Sequence, residues 1–310
     1  MSGYKYLFGP VPSRRLGASL GVSPIPERTC NYSCVYCQLG RTLRMTNTRQ
    51  EFFPLEEILA EFREYLRGSI PFDVVTVVGE GEPTLYSRLG ELIAGLKKET
   101  DKPVAVITNG ALLYDAEMRR ELMEADIVLP SLDAVTEEQY RKIDRPMGSI
   151  GFAEMAEGLR QFAREYQGQL WIEIMLVDGM NDSPEDIAAF KEFLGTIVYD
   201  RVYLNTPVRP PAEGFVHTSA PERIDLAARE LGGISIDQLT SGSFFSEVED
   251  PYEAILSIAR RHPMNQFEVE SFLEAREIPA DQRQALMERL GQDPGITVVP
   301  YKGIITYRVN

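Results

Sequence analysis

Between residues 55 and 211, short and almost continuously apolar runs alternate with amphipathic stretches of helical period. In "LEEILAEFREYLRG" (55–68) the apolar positions Leu55, Ile58, Leu59, Phe62, Tyr65 and Leu66 fall on one helical face. The run "FDVVTVVGEGEP" (72–83) follows, a strand ending in glycines. The alternation continues with a helix near 86–99, the strand "PVAVITNG" (103–110), a helix near 114–124 and the strand "DIVLPSLD" (126–133). Helices near 136–143 and 151–166 precede "LWIEIMLVDG" (170–179), and a helix near 184–195 precedes "RVYLNTPVRPP" (201–211). Strands that are apolar on both faces and separated by helices belong to parallel βαβ units. With "LGASLGVSPI" before them there are six such units. Six fall short of a closed eight-unit barrel, so the expected class is α/β with a partial (β/α)6 TIM-like barrel, a doubly wound open sheet being the alternative.

A helix near 220–231 closes this first domain, expected to span 1–231. The Gly-, Ser- and acid-rich stretch 232–250 reads as a linker. Residues 251–310 read as a small winged-helix-like domain, with helices near 252–261, 266–276 and 280–290 and a hairpin in "ITVVPYKGIITYRV". A winged helix suggests DNA. Yet this segment carries eight acidic and seven basic residues, and the whole chain has net charge −15. Both disfavour nucleic acid as a partner and leave a docking or covering role for the module.

All three cysteines of the 310-residue chain, Cys30, Cys34 and Cys37, stand in "CNYSCVYC". They are too close together for a disulfide framework, which argues for a reducing compartment. No apolar run is of membrane-spanning length, and "MSGYKYLFGPVPSRR" lacks the apolar core of a signal peptide, so a cytoplasmic location is expected. Three thiolates on one loop can hold three corners of a cubane iron–sulfur cluster and leave one iron open for a small molecule. A zinc ion would need a fourth ligand, and the two histidines, His217 and His262, are distant in sequence.

The C-x3-C-x2-C spacing resembles the signature of the radical S-adenosylmethionine (SAM) superfamily, and further motifs follow in the superfamily's order, each at a strand's C-terminal end. "GEGEPTL" resembles the motif that receives the SAM ammonium group, which implies roles for Gly81 and Glu82. "TNG" places Thr108 and Asn109 on the same rim. In "SLD", Ser131 and Asp133 resemble residues that bind the SAM carboxylate or ribose. The resemblance also implies Glu173 and Asn205 as residues flanking the adenosine, and Tyr36 as an aromatic neighbour of the adenine. "FGPVPSRRLG" and "CNYSCVYCQLGRT" look most like a bacterial and archaeal branch loosely grouped with the wybutosine-tRNA (4-demethylwyosine synthase-like) Fe–S oxidoreductases.

The resemblance implies a [4Fe–4S] cluster and SAM as cofactors, a 5′-deoxyadenosyl radical that abstracts hydrogen from substrate, and a flavodoxin or ferredoxin as electron donor. A small metabolite or a peptide suits the acidic chain better as substrate than an RNA base does. The alternative from another class is a non-catalytic Fe–S and SAM-binding sensor with the winged helix as its output. Arg14 and Arg15 read either as solvated charges or, with Arg209, as a recognition site for an anionic substrate group. Trp171 reads as core, and His217 as a surface or packing residue.

Overall fold

Every apolar run of the alternating region becomes a strand of one curled sheet. The computed structural model describes residues 4–68, 70–236, 244–246, 248–301 and 303–310. The chain opens with β1 (Leu7–Ser13), β2 (Gly17–Val22), β3 (Thr29–Cys30) and β4 (Arg44–Met45). Strands and helices then alternate: α1 (Leu55–Tyr65), β5 (Val74–Val77), α2 (Leu89–Glu99), β6 (Val104–Thr108), α3 (Ala116–Leu122), β7 (Ile127–Pro130), α4 (Glu137–Ile143) and α5 (Phe152–Glu165). There follow β8 (Gln169–Met175), α6 (Pro184–Leu194), β9 (Arg201–Asn205), α7 (Pro221–Leu231) and β10 (Ile234–Ser235). The C-terminal unit runs α8 (Pro251–Ala259), β11 (Met264–Asn265), α9 (Gln266–Ala275), α10 (Ala280–Gln292), β12 (Ile296–Tyr301) and β13 (Ile304–Val309).

The sheet has the order β1-β2-β5-β6-β7-β8-β9-β10, parallel from β2 to β10, and forms a curled half-barrel. The six expected strands are present, and two more extend the sheet. β1 pairs antiparallel with β2, and the two-residue β10 pairs with β9. Ile234 and Ser235, at the start of the stretch 232–250, pair with Tyr203 and Leu204 of β9, and residues 237–243 and 247 of that stretch lie outside the described residues.

Alternate residues of each strand face opposite sides, and both sides are covered. Val75, Val77, Val104, Val106, Val128, Ile172, Ile174 and Leu204 face the helices, where Phe62, Leu92, Phe162 and Phe190 are fully buried. Each such side chain contributes ~1.5–3 kcal/mol by leaving water. Helix starts are fixed by side chains: Ser183 and Asp186 form a capping box on α6, Asn265 and Glu268 another on α9, each stabilising by ~1 kcal/mol.

The concave side begins with an apolar floor of Leu16, Val74, Ala105, Ile127, Leu129, Trp171 and Tyr203. Trp171 is core, as its sequence context suggested, with Arg201 stacked on its ring. In the C-terminal unit, β11, β13 and β12 form a three-stranded antiparallel sheet in that order, packed against its helices. Phe8 and Val11 of β1 join its core with Phe244, Tyr252, Ile255, Ile258 and Phe272. Glycine at position 21 makes room for this, because a Cβ there would stand 2.2 Å from the Phe8 ring. Among the described residues, no helix is long and apolar enough to cross a membrane.

Candidate active site

The cysteine loop lies over the C-terminal ends of the strands, held there mainly by its backbone. Thr29 bridges to Gly81, and the Glu82 amide donates to the Thr29 carbonyl at 3.1 Å. A Cβ on Gly81 would stand 1.8 Å from that carbonyl, so only glycine lets the two segments meet. On the other flank, Ser33 donates to the Asp144 carbonyl (3.1 Å), Val35 to the Ile143 carbonyl (2.9 Å) and Met147 to the Asn31 carbonyl (2.8 Å). Within the loop, Cys37 donates to the Cys34 carbonyl and Gly40 to the Cys37 carbonyl, both at 3.1 Å.

The three thiols are free and partly exposed, and burial of their sulfurs pushes each pKa upward. Cys30 Sγ accepts from the Tyr32 amide at 3.4 Å and from Asn109 Nδ2 at 3.7 Å. Donors of this kind stabilise a thiolate once a metal replaces its proton. Among the described residues, no three His, Cys, Asp or Glu side chains converge on a single-ion site.

The expected site residues form one hydrogen-bonded rim. Glu82 is buried, and its Oε1 accepts from Thr84 N (3.0 Å), Thr84 Oγ1 (2.6 Å) and Thr108 Oγ1 (2.7 Å). Its Oε2 accepts from the Asn109 amide at 2.8 Å. A carboxylate has about four lone-pair sites. Oε2 thus keeps one for an incoming donor, while burial pushes the Glu82 pKa up. Asn109 Nδ2 also donates to Asn31 Oδ1 at 2.7 Å, joining the β6 rim to the cysteine loop.

Asp133 performs the equivalent join for β7. Its Oδ2 accepts from the Tyr36 hydroxyl, and its Oδ1 from the Met175 amide at 2.7 Å. Burial raises its pKa to about 6. Ser131 bridges to Glu173 on β8. Glu173 in turn pairs with Arg15, and its Oε1 accepts from Asn205 Nδ2 at 3.4 Å. Arg15 is therefore not a solvated charge. It enters the half-barrel interior, where burial lowers its pKa to about 10. Such a buried pair adds little net stability, because desolvation offsets the attraction.

Arg209 does not join the strand-end rim. It donates to both carboxylate oxygens of Glu268 at 3.0 Å, to the Pro263 carbonyl and to His262, tying the segment after β9 to the C-terminal unit. His217 lies on the surface.

Sequence reasoning passed over Asn31, Asn181 and Asp144. Asn31 lies inside the cysteine motif itself and could have been noted. Asn181 Nδ2 donates at 2.8 Å to the carbonyls of both Asp133 and Met175, holding the ends of β7 and β8 together. Asp144 Oδ1 accepts from the Cys34 thiol at 3.9 Å. Burial and the charge of Asp133 push its pKa well up.

Comparison with known proteins agrees with this geometry. Residues 25–191 match the Radical SAM superfamily. A UPF0026 protein of Methanocaldococcus jannaschii is 32% identical over 98% of this chain and 95% of its own length. A protein of Brachyspira hyodysenteriae named GTPase Obg is 43% identical over 205 residues, which are 66% of this chain and 30% of that protein. In fold, the chain is similar to a radical SAM methyltransferase from Sphaerobacter thermophilus, with TM-score 0.54, 18% identity and coverage of 71% and 67% of the two chains. The cofactors of the superfamily are a [4Fe–4S] cluster and SAM. With its three-thiol loop seated on the strand ends, the chain belongs to the radical SAM superfamily of enzymes and, by its relatives, to the UPF0026 family.

Proposed function

We propose that the chain cleaves SAM reductively and uses the resulting radical on a small metabolite or a peptide. Cys30, Cys34 and Cys37 would hold three irons of the cluster, with SAM on the fourth. Once bound there, a cluster would supply the low-potential electron for reductive cleavage of SAM and hydrogen abstraction from the substrate.

The chain's residues orient this chemistry. The open lone pair of Glu82 Oε2 faces the task of accepting from the SAM ammonium, and the Thr84, Thr108 and Asn109 donors keep its carboxylate fixed. The Tyr36 hydroxyl, bound to Asp133, sets the ring for packing against adenine. Ser131 and Asp133 serve the SAM carboxylate or ribose. Glu173 and Asn205 flank the adenosine, with Arg15 paired to Glu173. The apolar floor excludes water.

The element order α8–β11–α9–α10–β12–β13 supports a winged-helix-like domain at 251–310, joined through 232–250 to a catalytic domain at 1–231. The observation that carries the reading is the joining of the cysteine loop to the Glu82, Asn109 and Asp133 rim by direct hydrogen bonds. The test is anaerobic reconstitution with iron and sulfide, dithionite reduction and chromatography after adding SAM. 5′-Deoxyadenosine is the expected product, and a fully loaded protein that yields none refutes the proposal. Deuterated cell-extract fractions then identify the substrate by label appearing in 5′-deoxyadenosine.

A further inference from the structure

The acidic chain carries a basic stretch around its cysteines. Residues 28–50 contain four arginines and neither Asp nor Glu, in a chain of net charge −15. Arg49 is spent on Glu121, but Arg41 and Arg44 are exposed and Arg28 is partly so. Two further arginines reach the same face from elsewhere. Arg145 shares the Glu213 carboxylate with Arg41. Arg308, on the C-terminal hairpin, donates to the Gln38 carbonyl at 3.4 Å.

Arg308 and Arg28 flank the turn that follows Cys37. A Cβ on Gly40 would stand 3.5 Å from one guanidinium and 3.7 Å from the other. Among the described residues, Glu27 and Glu213 are the carboxylates paired with these five arginines, which leaves the face a positive surplus. Apolar side chains lie among the arginines. Leu43 is 67% exposed and Phe215 is 55% exposed, with the Arg145 guanidinium 5.9 Å from the Phe215 ring.

Exposed apolar side chains among unpaired cationic charge, beside one cysteine ligand, suit a brief and charge-steered encounter. We propose that this face docks a small acidic redox protein of the flavodoxin kind, which delivers the electron that the proposed function requires. The donor's reduced flavin loses one electron and the cluster on Cys30, Cys34 and Cys37 gains it, with no heavy-atom bond made or broken. A nucleic acid would call for a longer cationic track, which an acidic chain does not provide.

The test uses full-length, iron-loaded enzyme and a reduced flavodoxin of net negative charge, following cluster bleaching by stopped flow. For the wild type, the second-order rate falls steeply with salt. In Leu43→Gln/Arg44→Glu it drops about tenfold and the salt dependence flattens. The milder Arg44→Gln gives a smaller drop in the same direction if the double variant folds poorly. Reduction by dithionite, and SAM cleavage after it, stay at the wild-type level in both variants. An unchanged flavodoxin rate overturns the docking proposal. So does a variant that loses affinity for bulk tRNA while keeping its flavodoxin rate. Dithionite-reduced wild type that never cleaves SAM overturns the enzymatic reading instead, and leaves the flavodoxin rates as a separate result.

Discussion

The cysteine loop and the C-terminal unit are both attached to the half-barrel, but by different physics. The loop is held by backbone hydrogen bonds and strand bridges on both flanks, with side-chain bonds from Asn31 and Tyr36 closing the gaps. The C-terminal unit meets the half-barrel through an apolar contact at Phe8 and Val11 and a few arginine anchors: Arg209 on Glu268, Arg261 on Glu80, and Arg308 on Gln38. Backbone bonds cannot be removed by a side-chain change, so the loop tolerates few alternative positions. Guanidinium anchors can be cut one at a time. The difference teaches that the chemistry is built on a fixed frame, and that the module over it is attached more adjustably.

The largest expected effect tests the frame. Cys34→Ala leaves the loop's backbone bonds in place, so the protein folds, yet iron content falls and SAM cleavage disappears. Iron analysis, visible absorbance and 5′-deoxyadenosine assays check this. Retained cleavage would break the comparison at its root. Glu82→Gln comes next. The amide places an N–H group where one side of the carboxylate must accept, so at least one of four bonds is lost. The expected cost is about 2 kcal/mol of stability and at least tenfold in SAM affinity, measured by thermal unfolding and by titration calorimetry.

These two variants concern residues that could be found from sequence, and the reason is local spacing. The cysteines, Gly81 and Glu82 occur in short motifs, and parallel strands covered on both faces read as unbroken apolar runs. β1 escaped notice because Pro10 and Pro12 interrupt "LFGPVPS", which suits an edge strand and hides it. β10 is only two residues long. The pairs that shape the interior and the module's attachment escaped for another reason. Asp144 lies 110 residues from Cys34, and Arg308 lies 270 from Gln38. Arg15 and Glu173 are similarly remote. No local pattern encodes such pairs, and a charged residue alone reads as surface.

Arg209→Ala tests the other half of the comparison. Arg209 and Glu268 are both largely buried, and removing the guanidinium leaves Glu268 without its bidentate partner. The module should loosen by about 1–3 kcal/mol, with faster amide exchange across α8 to β13 and little change in β5 to β8. Equal loosening of both regions would mean that they unfold as one unit and that the distinction between frame and module is false.

The smallest effect is a pH dependence of the module. His262 packs on Phe244 and accepts from Arg209, and burial first, then the charges of Arg209, Arg14 and Arg15, push its pKa well below the ordinary 6.5. The folded imidazole therefore stays neutral, while the unfolded one takes up a proton as pH falls through 6.5. More protons bound in the unfolded state means that stability rises with pH in this window. Module stability should thus be level above pH 6.5 and decline on acidification, by up to ~1.4 kcal/mol per pH unit for one proton. Amide exchange in α8 and α9 between pH 5 and 7.5 measures it, while β6 and β7, beside the buried Asp133 carboxyl raised to about 6, should lose stability as pH rises. His262→Phe should flatten the module's curve. A slope that persists in that variant would assign the acid sensitivity to another group, and a slope shared equally by β6 and β7 would place it in the frame.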